Sequence, residues 1–245
     1  MAASSAVRIV WIYPDLLSTY GDQGNALIMA YRARLRGHEV EQLNVRSDQP
    51  LPVQGDVYLI GGGEDRPQRL AAERLRRDDG LRRAVEGGAA VLSVCAGFQL
   101  LGESFHDDEK GMLPGLGLLD VTSGRGTVRC VGEVVSDPDP VLTVGGKPLP
   151  RLTGFENHMG TTVVGPAAKP LATVRIGNGN GAGAGADGAH QGRIVGTYLH
   201  GPVLARNPAL ADLLLGWVDG NPAATPADDG WHERLRAERL TAVGG

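Results

Sequence analysis

The stretch Ser93-Val94-Cys95-Ala96-Gly97-Phe98-Gln99-Leu100-Leu101-Gly102 joins an apolar run to a helical pattern, with Cys95 at the joint. Small residues flank it at positions −2, +1 and +2, which a strained strand-to-helix turn requires because it brings backbone segments close together. A thiol there faces unpaired helical N–H groups and the positive end of a helix dipole, which favours thiolate. The functional reading is a cysteine nucleophile for acyl chemistry, and the competing one is a small buried residue at a strand end. The only other cysteine, Cys130, lies outside any motif and reads as a packing residue; no CxxC or Cys/His metal spacing occurs.

A cysteine nucleophile needs a base, and there are six histidines. His38 follows the helix-ending Gly37, His106 lies in an acidic loop, His190 in the glycine loop and His232 in the tail, and each reads as solvated. His200 closes the apolar run from Ile194 and precedes Gly201-Pro202, which places it at the carboxyl edge of a strand, where open α/β sheets form their sites. His158, in Gly154-Phe-Glu-Asn-His-Met-Gly160, is the competitor, its other reading being a structural histidine bonded to a loop. Gly61-Gly62-Gly63 can offer a backbone N–H to an oxyanion beside that of Ala96. A phosphate loop does not fit, since Glu64-Asp65 repel phosphate and no G-x-x-x-x-G-K-[ST] occurs.

The elements that must position these groups alternate. Apolar runs at 7–13, 39–45, 56–60 and 89–94 read as strands, separated by helical patterns at 25–36 and 64–85. Such alternation predicts a parallel sheet with helices on both faces. From about 117 the pattern turns β-rich (128–135, 152–158, 160–164, 171–176, 193–199), so the sheet is expected to become mixed before a helix at 207–219. Residues 177–188 read as a flexible glycine loop without chemistry, and 220–230 as a linker to a short helix over 231–240.

The chain has 245 residues, with 37 Gly, 15 Pro, a net charge of −4 and a hydrophobic share of 42%, which suits one soluble domain with a modest appendage. That charge gives no electrostatic case for nucleic acid. There is no signal-like start and no apolar window near the ~18 residues a membrane helix needs, so a cytoplasmic location is expected.

Together these motifs resemble the class I (triad-type) glutamine amidotransferases, with Cys95-x-Gly97-x-Gln99-Leu100-Leu101-Gly102 as the nucleophile elbow. Gly154–Gly160 and Gly196-Thr-Tyr-Leu-His-Gly-Pro202 are similar to the cobyric-acid-synthase-like branch. Within it, Tyr13-Pro-Asp-Leu-Leu-Ser-Thr-Tyr-Gly-Asp-Gln-Gly-Asn25 and Ile60-Gly-Gly-Gly-Glu-Asp-Arg66 resemble the glutaminase subunits of lipid II isoglutaminyl synthases. The resemblance implies a three-layer, flavodoxin-like α/β fold with a largely parallel, partly mixed central sheet over 1–219, followed by a linker and C-terminal helix over 220–245.

It further implies Cys95 as nucleophile, His200 as base, N–H groups near Gly62 and of Ala96 as oxyanion hole, and Gln99 in contact with bound L-glutamine. Arg129 matches the position that pairs with the glutamine α-carboxylate, with Arg125 its local rival. One departure stands out: the family's His-x-Glu is here His200-Gly201-Pro202, so the orienting acid is missing at that position. A Cys-His dyad, a partner's Asp or Glu, or a substitute such as Asp22 or Glu156 remain open. The partner is favoured because it keeps an idle glutaminase slow.

Ammonia amidates a carboxylate only after ATP has activated it, and no ATP site is legible, so the chain is expected to be half of a synthetase. The resemblance implies a heterodimer with a MurT-like, Mur-ligase-family subunit that carries ATP and Mg, while this chain carries no cofactor. The implied acceptor is the D-glutamate α-carboxylate of lipid II, amidated to D-isoglutamine at the inner face of the membrane. Rival readings are a glutaminase subunit of a corrinoid or pyridoxal phosphate system, or a non-catalytic regulatory relative.

Overall fold

The computed structural model describes residues 6–227 and 229–244. Its elements run β1 (Val7–Ile12), α1 (Gln23–Leu35), β2 (Val40–Val45), β3 (Val57–Ile60), α2 (Asp65–Arg77), α3 (Gly80–Glu86), β4 (Ala90–Val94), α4 (Ala96–Leu101), β5 (Ser104–Asp107), β6 (Gly111–Pro114) and β7 (Val121–Pro138). There follow β8 (Thr143–Val144), β9 (Lys147–Pro148), β10 (Leu152–Val164), β11 (Ala172–Ile176), β12 (Ala186–Asp187), β13 (Ala189–Gln191), β14 (Ile194–Thr197), α5 (Val203–Arg206), α6 (Pro208–Asp219) and α7 (Gly230–Ala242).

The first sheet has the order β2-β1-β3-β4-β14-β13, parallel except for the antiparallel edge strand β13. This is the flavodoxin-like order, in which the strand order reverses at β1 while the strands stay parallel. Strands covered on both faces read as continuous apolar runs, and β3, β4 and β14 are buried at every position. At the switch point the segment after β1 meets the glycine turn after β3. Thr19 donates its N–H to the Gly62 carbonyl at 3.2 Å, and Asp22 accepts the Gly62 N–H at 2.8 Å.

The β-rich half does more than mix the first sheet. Only β13 and β14 join it, and the other runs build a second sheet, β12-β11-β7-β5-β6, with β10 paired along β7. The eighteen-residue β7 extends well beyond the expected 128–135, because β10 supplies its ladder where Ser, Gly and Thr give little intrinsic preference for strand.

The helix expected over 64–85 is split. Asp78 accepts the N–H groups of Gly80 and Leu51 with its carboxylate, a local alternative that ends α2 and pins it to the chain before β3. Residues 177–188 are not a free loop either: Glu156 accepts N–H groups from Asn178 and Gly179, and the buried Asn180 brackets Gly188 by two bonds.

Candidate active site

Cys95 sits between β4 and α4 with φ 53° and ψ −110°, a left-handed setting that a non-glycine residue holds only where the surroundings over-determine it. Below it, the small residues serve close packing. A Cβ on Gly97 would lie 2.7 Å from Ile60 and 2.9 Å from the Gly61 carbonyl, and one on Gly196 would lie 2.1 Å from the Phe98 ring. Ser93 is fully buried and donates its hydroxyl to the Val195 carbonyl, which ties the elbow strand to β14.

His200 is carried to the same edge just beyond β14, and the segment pairs with Phe155 of β10 through two backbone bonds. A Cβ on Gly62 would stand 3.0 Å from His200 Cε1, 3.4 Å from Cys95 Cβ and 3.8 Å from an Asp22 carboxylate oxygen. The expected nucleophile and base thus meet at one point of the glycine turn. The cleft beside them has a volume of about 400 Å³ and is lined by Cys95, Ala96, Gln99, Arg129 and His158, among others, whereas His200, 2% exposed, is not among its lining residues.

Burial pushes the Cys95 thiol up to about 12; the Ala96 N–H and Arg129 pull the other way, and Asp22 and Glu64 push further up. Burial also drives the His200 imidazole down to about 4, with His158 adding to the shift. The expectation of a thiolate drawn out by a helix dipole is therefore corrected for this state, because α4 has only six residues and desolvation dominates. Both His200 ring nitrogens are buried without a hydrogen-bond partner.

Neither cis substitute for the missing acid reaches that ring. Asp22, buried and pushed up to about 6 by desolvation, accepts the Gly62 N–H. Glu156 is held by residues 178 and 179 and lies 3.7 Å from His158 Nε2.

Other expectations are refined residue by residue. The Gly62 N–H, expected in the oxyanion hole, is taken by Asp22, so the neighbouring donor on that turn is Gly63, which lines the cleft. The Gln99 amide is engaged at both ends, accepting from Gln68 at 2.8 Å and donating to the Tyr198 hydroxyl at 3.0 Å. Arg125 is ion-paired with Asp108, whereas Arg129 contacts only the neutral Asn157 Oδ1, through Nε and Nη2 at 2.9 and 2.7 Å. Arg129 thus enters the cleft ion-paired with no carboxylate among the described residues, although Glu64 and Asp65 line the same space.

His158 donates through Nδ1 to the Gly160 carbonyl and stacks on Tyr198 at 3.8 Å. His190, expected in solvent, is 9% exposed on β13 and bonded to Asp139 at 3.1 Å, since a register with β14 draws it in. His106 lies on β5 rather than in a loop and reaches the cleft rim. His38 and His232 are likewise bonded, to Asp219 and to the Arg206 carbonyl.

Residues 8–208 match the CobB/CobQ-like glutamine amidotransferase domain. The chain belongs to that family. Among its relatives is the glutamine-hydrolysing lipid II isoglutaminyl synthase subunit GatD of Staphylococcus aureus, 34% identical over 82% of this chain and 79% of that protein. The GatD of Streptococcus pneumoniae is 32% identical over 84% and 77%. A cobyric acid synthase from Sphingopyxis alaskensis is 34% identical over 73% of this chain, but that match spans only 35% of the synthase. The fold is shared with a glutamine amidotransferase of Thermotoga maritima, at a TM-score of 0.55, 16% identity and coverage of 98% and 99%. This is the flavodoxin-like class I amidotransferase fold that the motifs imply.

Sequence reasoning missed Tyr20, Gln68 and Tyr198, which bond to or stack on the expected site residues. Tyr198 stood next but one to His200 in the quoted motif, and Tyr20 two residues before Asp22. Gln68 had no such signal.

Proposed function

We propose that this chain is the glutaminase subunit of a lipid II isoglutaminyl synthase. The observation that carries the reading is the convergence of Cys95, His200 and the glycine turn at Gly62, with Cys95 lining a cleft that Arg129 also lines. Its support in likeness is the match to two GatD subunits over most of both chains.

In the proposed reaction Arg129 pairs with the glutamine α-carboxylate and sets the side-chain amide against Cys95. The thiol passes its proton to His200 as Sγ bonds to the amide carbon, and the carbonyl oxygen takes the negative charge beside the N–H groups of Ala96 and the glycine turn. The carbon–nitrogen bond then breaks, His200 returns the proton to the nitrogen, and ammonia leaves a thioester. Water opens the thioester with His200 as base, releasing glutamate and the free thiol.

A thiol near 12 beside an imidazole near 4 is a poor start for that transfer. A carboxylate at the unpartnered His200 nitrogen would raise the imidazole and orient it. We assign that acid to a MurT-like, Mur-ligase-family partner. It would bind ATP and Mg, activate the D-glutamate α-carboxylate of lipid II and receive the ammonia, and the pair would work at the inner face of the membrane. Lipid II would be met through the partner; no helix among the described residues is long and apolar enough to cross a membrane.

The test is ammonia release from L-glutamine by the full chain with and without a co-expressed partner. Release that needs Cys95 is expected; none in either case, or release unchanged by Cys95→Ala, overturns the reading. Equal reactivity of Cys95 toward a glutamine-like electrophile with and without the partner overturns the trans-acting acid. Amidated lipid II as the product would separate this reading from a corrinoid pathway.

A further inference from the structure

The segment Thr19–Asp22 lies across the glycine turn and bonds both sides of the Gly62 peptide. Between those two contacts stands Tyr20, half-buried at the cleft. Its ring packs against the His200 ring, with centroids 4.5 Å apart and planes tilted by 52°. Its hydroxyl accepts the Asn157 Nδ2–H at 3.0 Å, and the other end of the same amide, Oδ1, accepts both Arg129 bonds. A continuous path of contacts therefore runs from Arg129 through Asn157 and Tyr20 to the imidazole.

Each link has a chemical consequence. Asn157 is paired with Val131 one residue before β10 loses register with β7 between His158 and Gly160, whereas Arg129 lies in the stretch of β7 that this break leaves without a β10 partner. With Nε and Nη2 held on one oxygen, two N–H groups of Nη1 and one of Nη2 are left to take an anion. The Asn157 amide is oriented in turn by the Tyr20 hydroxyl. Because that hydroxyl accepts, its own proton is available to a second acceptor in the cleft. The Tyr20 ring limits the tilt of an imidazole whose nitrogens have no partner of their own.

We propose that Tyr20 is a positioning residue that couples substrate recognition to the base: its hydroxyl, through Asn157, fixes the Arg129 guanidinium, and its ring holds His200. This rests on the glutaminase reading, in which Arg129 takes the substrate carboxylate. The two halves of the side chain have separable effects. Removing the hydroxyl loosens Arg129 and weakens glutamine binding, while removing the ring frees the imidazole and slows the chemical step.

The experiment measures glutamine hydrolysis by the full chain co-purified with its ligase partner, for wild type, Tyr20→Phe, Tyr20→Leu, Arg129→Ala and the double variant Tyr20→Phe/Arg129→Ala. Tyr20→Phe is expected to raise KM about tenfold with kcat within about twofold, the scale of one lost hydrogen bond to a charged array. Tyr20→Leu is expected to lower kcat by a further tenfold or so, the scale of a misplaced catalytic group. In the Arg129→Ala background Tyr20→Phe should change KM less than about twofold, because its effect passes through the guanidinium.

As a substrate-free control, Cys95 alkylation by iodoacetamide should proceed at the wild-type rate in Tyr20→Phe. Unchanged KM in Tyr20→Phe, or KM effects that multiply in the double variant, overturns the coupling while leaving the glutaminase reading in place. Slowed alkylation overturns it too, by showing a general disturbance of the elbow. A wild-type complex that releases no ammonia overturns the glutaminase reading itself, and the coupling with it.

Discussion

At the scale of single residues, burial favours the neutral thiol of Cys95 and the neutral imidazole of His200. Cys95 is pushed up to about 12 by burial, with Asp22 and Glu64 adding to it and Ala96 N–H and Arg129 opposing it. Thiolate is the reactive form, so in the partner-free chain alkylation of Cys95 should rise about tenfold per pH unit between 7 and 9. No plateau is expected there, with Cys95→Ser giving the background from Cys130. A plateau with a midpoint below pH 8 would show a thiol already activated. Arg129 and Arg125 divide by the same logic of compensation, since one is paired with Asp108 and the other with a neutral amide. Arg129→Ala should raise the KM for glutamine by roughly 10²-fold, the scale of a lost charge-assisted contact, and Arg125→Ala by less than about threefold. Steady-state kinetics on the two variants decides it, and the reverse order would make Arg125 the carboxylate reader.

At the scale of elements, the elbow exists because β4, α4 and β14 approach more closely than side chains allow. Gly196 on β14 faces Phe98 of α4, itself fully buried and edge-on to Tyr198 at 5.3 Å. Gly196→Ala would set a Cβ 2.1 Å from the Phe98 ring and is expected to destabilise the chain by about 1–3 kcal/mol through overpacking. Urea unfolding should show a lower midpoint at unchanged slope, and an unshifted midpoint would mean that the elbow has slack. The first sheet was legible because parallel strands covered on both faces leave unbroken apolar runs, and Cys95 stood out because the elbow demands small neighbours. The second sheet was only half legible, as β7 and β10 owe their length to each other across some thirty residues of sequence rather than to local preference. The same holds for His190 and the glycine loop, which are held by Asp139, just past β7, and by Glu156 of β10. The Arg129–Asn157–Tyr20 path was invisible because each link joins a different element.

At the scale of the whole molecule, Arg32 of α1 and Arg36 at its C-terminal end hold the C-terminal stretch that composition marks as a linker. Arg32, 3% exposed, forms two 2.8 Å bonds to the Asp212 carboxylate and two of 3.1 Å to Asp229. Arg36 bonds Asp219 and the Thr225 hydroxyl, and the carbonyls of Asn221 and Ala223. The segment between α6 and α7 is therefore fastened to the domain by charges some 180 residues earlier, which no local pattern could reveal. Burial opposes the Asp212 charge, but Arg32 and Thr225 outweigh it and hold the carboxyl below its ordinary value of 3.8. A lowered folded value means that the unfolded chain takes up the proton first. The stability from this pair is thus complete above pH 3.8 and is lost as pH falls through the folded value. Removing Arg32 leaves the buried Asp212 with only the more distant Arg36 guanidinium, at 3.8 Å, so Arg32→Leu should cost about 3 kcal/mol at pH 7, the low end for a broken buried pair. Arg32→Leu/Asp212→Leu replaces the buried pair with apolar groups and should recover about half of that or more. Urea midpoints of the two singles and the double, at pH 7, measure the coupling. Costs that simply add would show that the pair does not act as a unit and that the C-terminal stretch is held by other contacts.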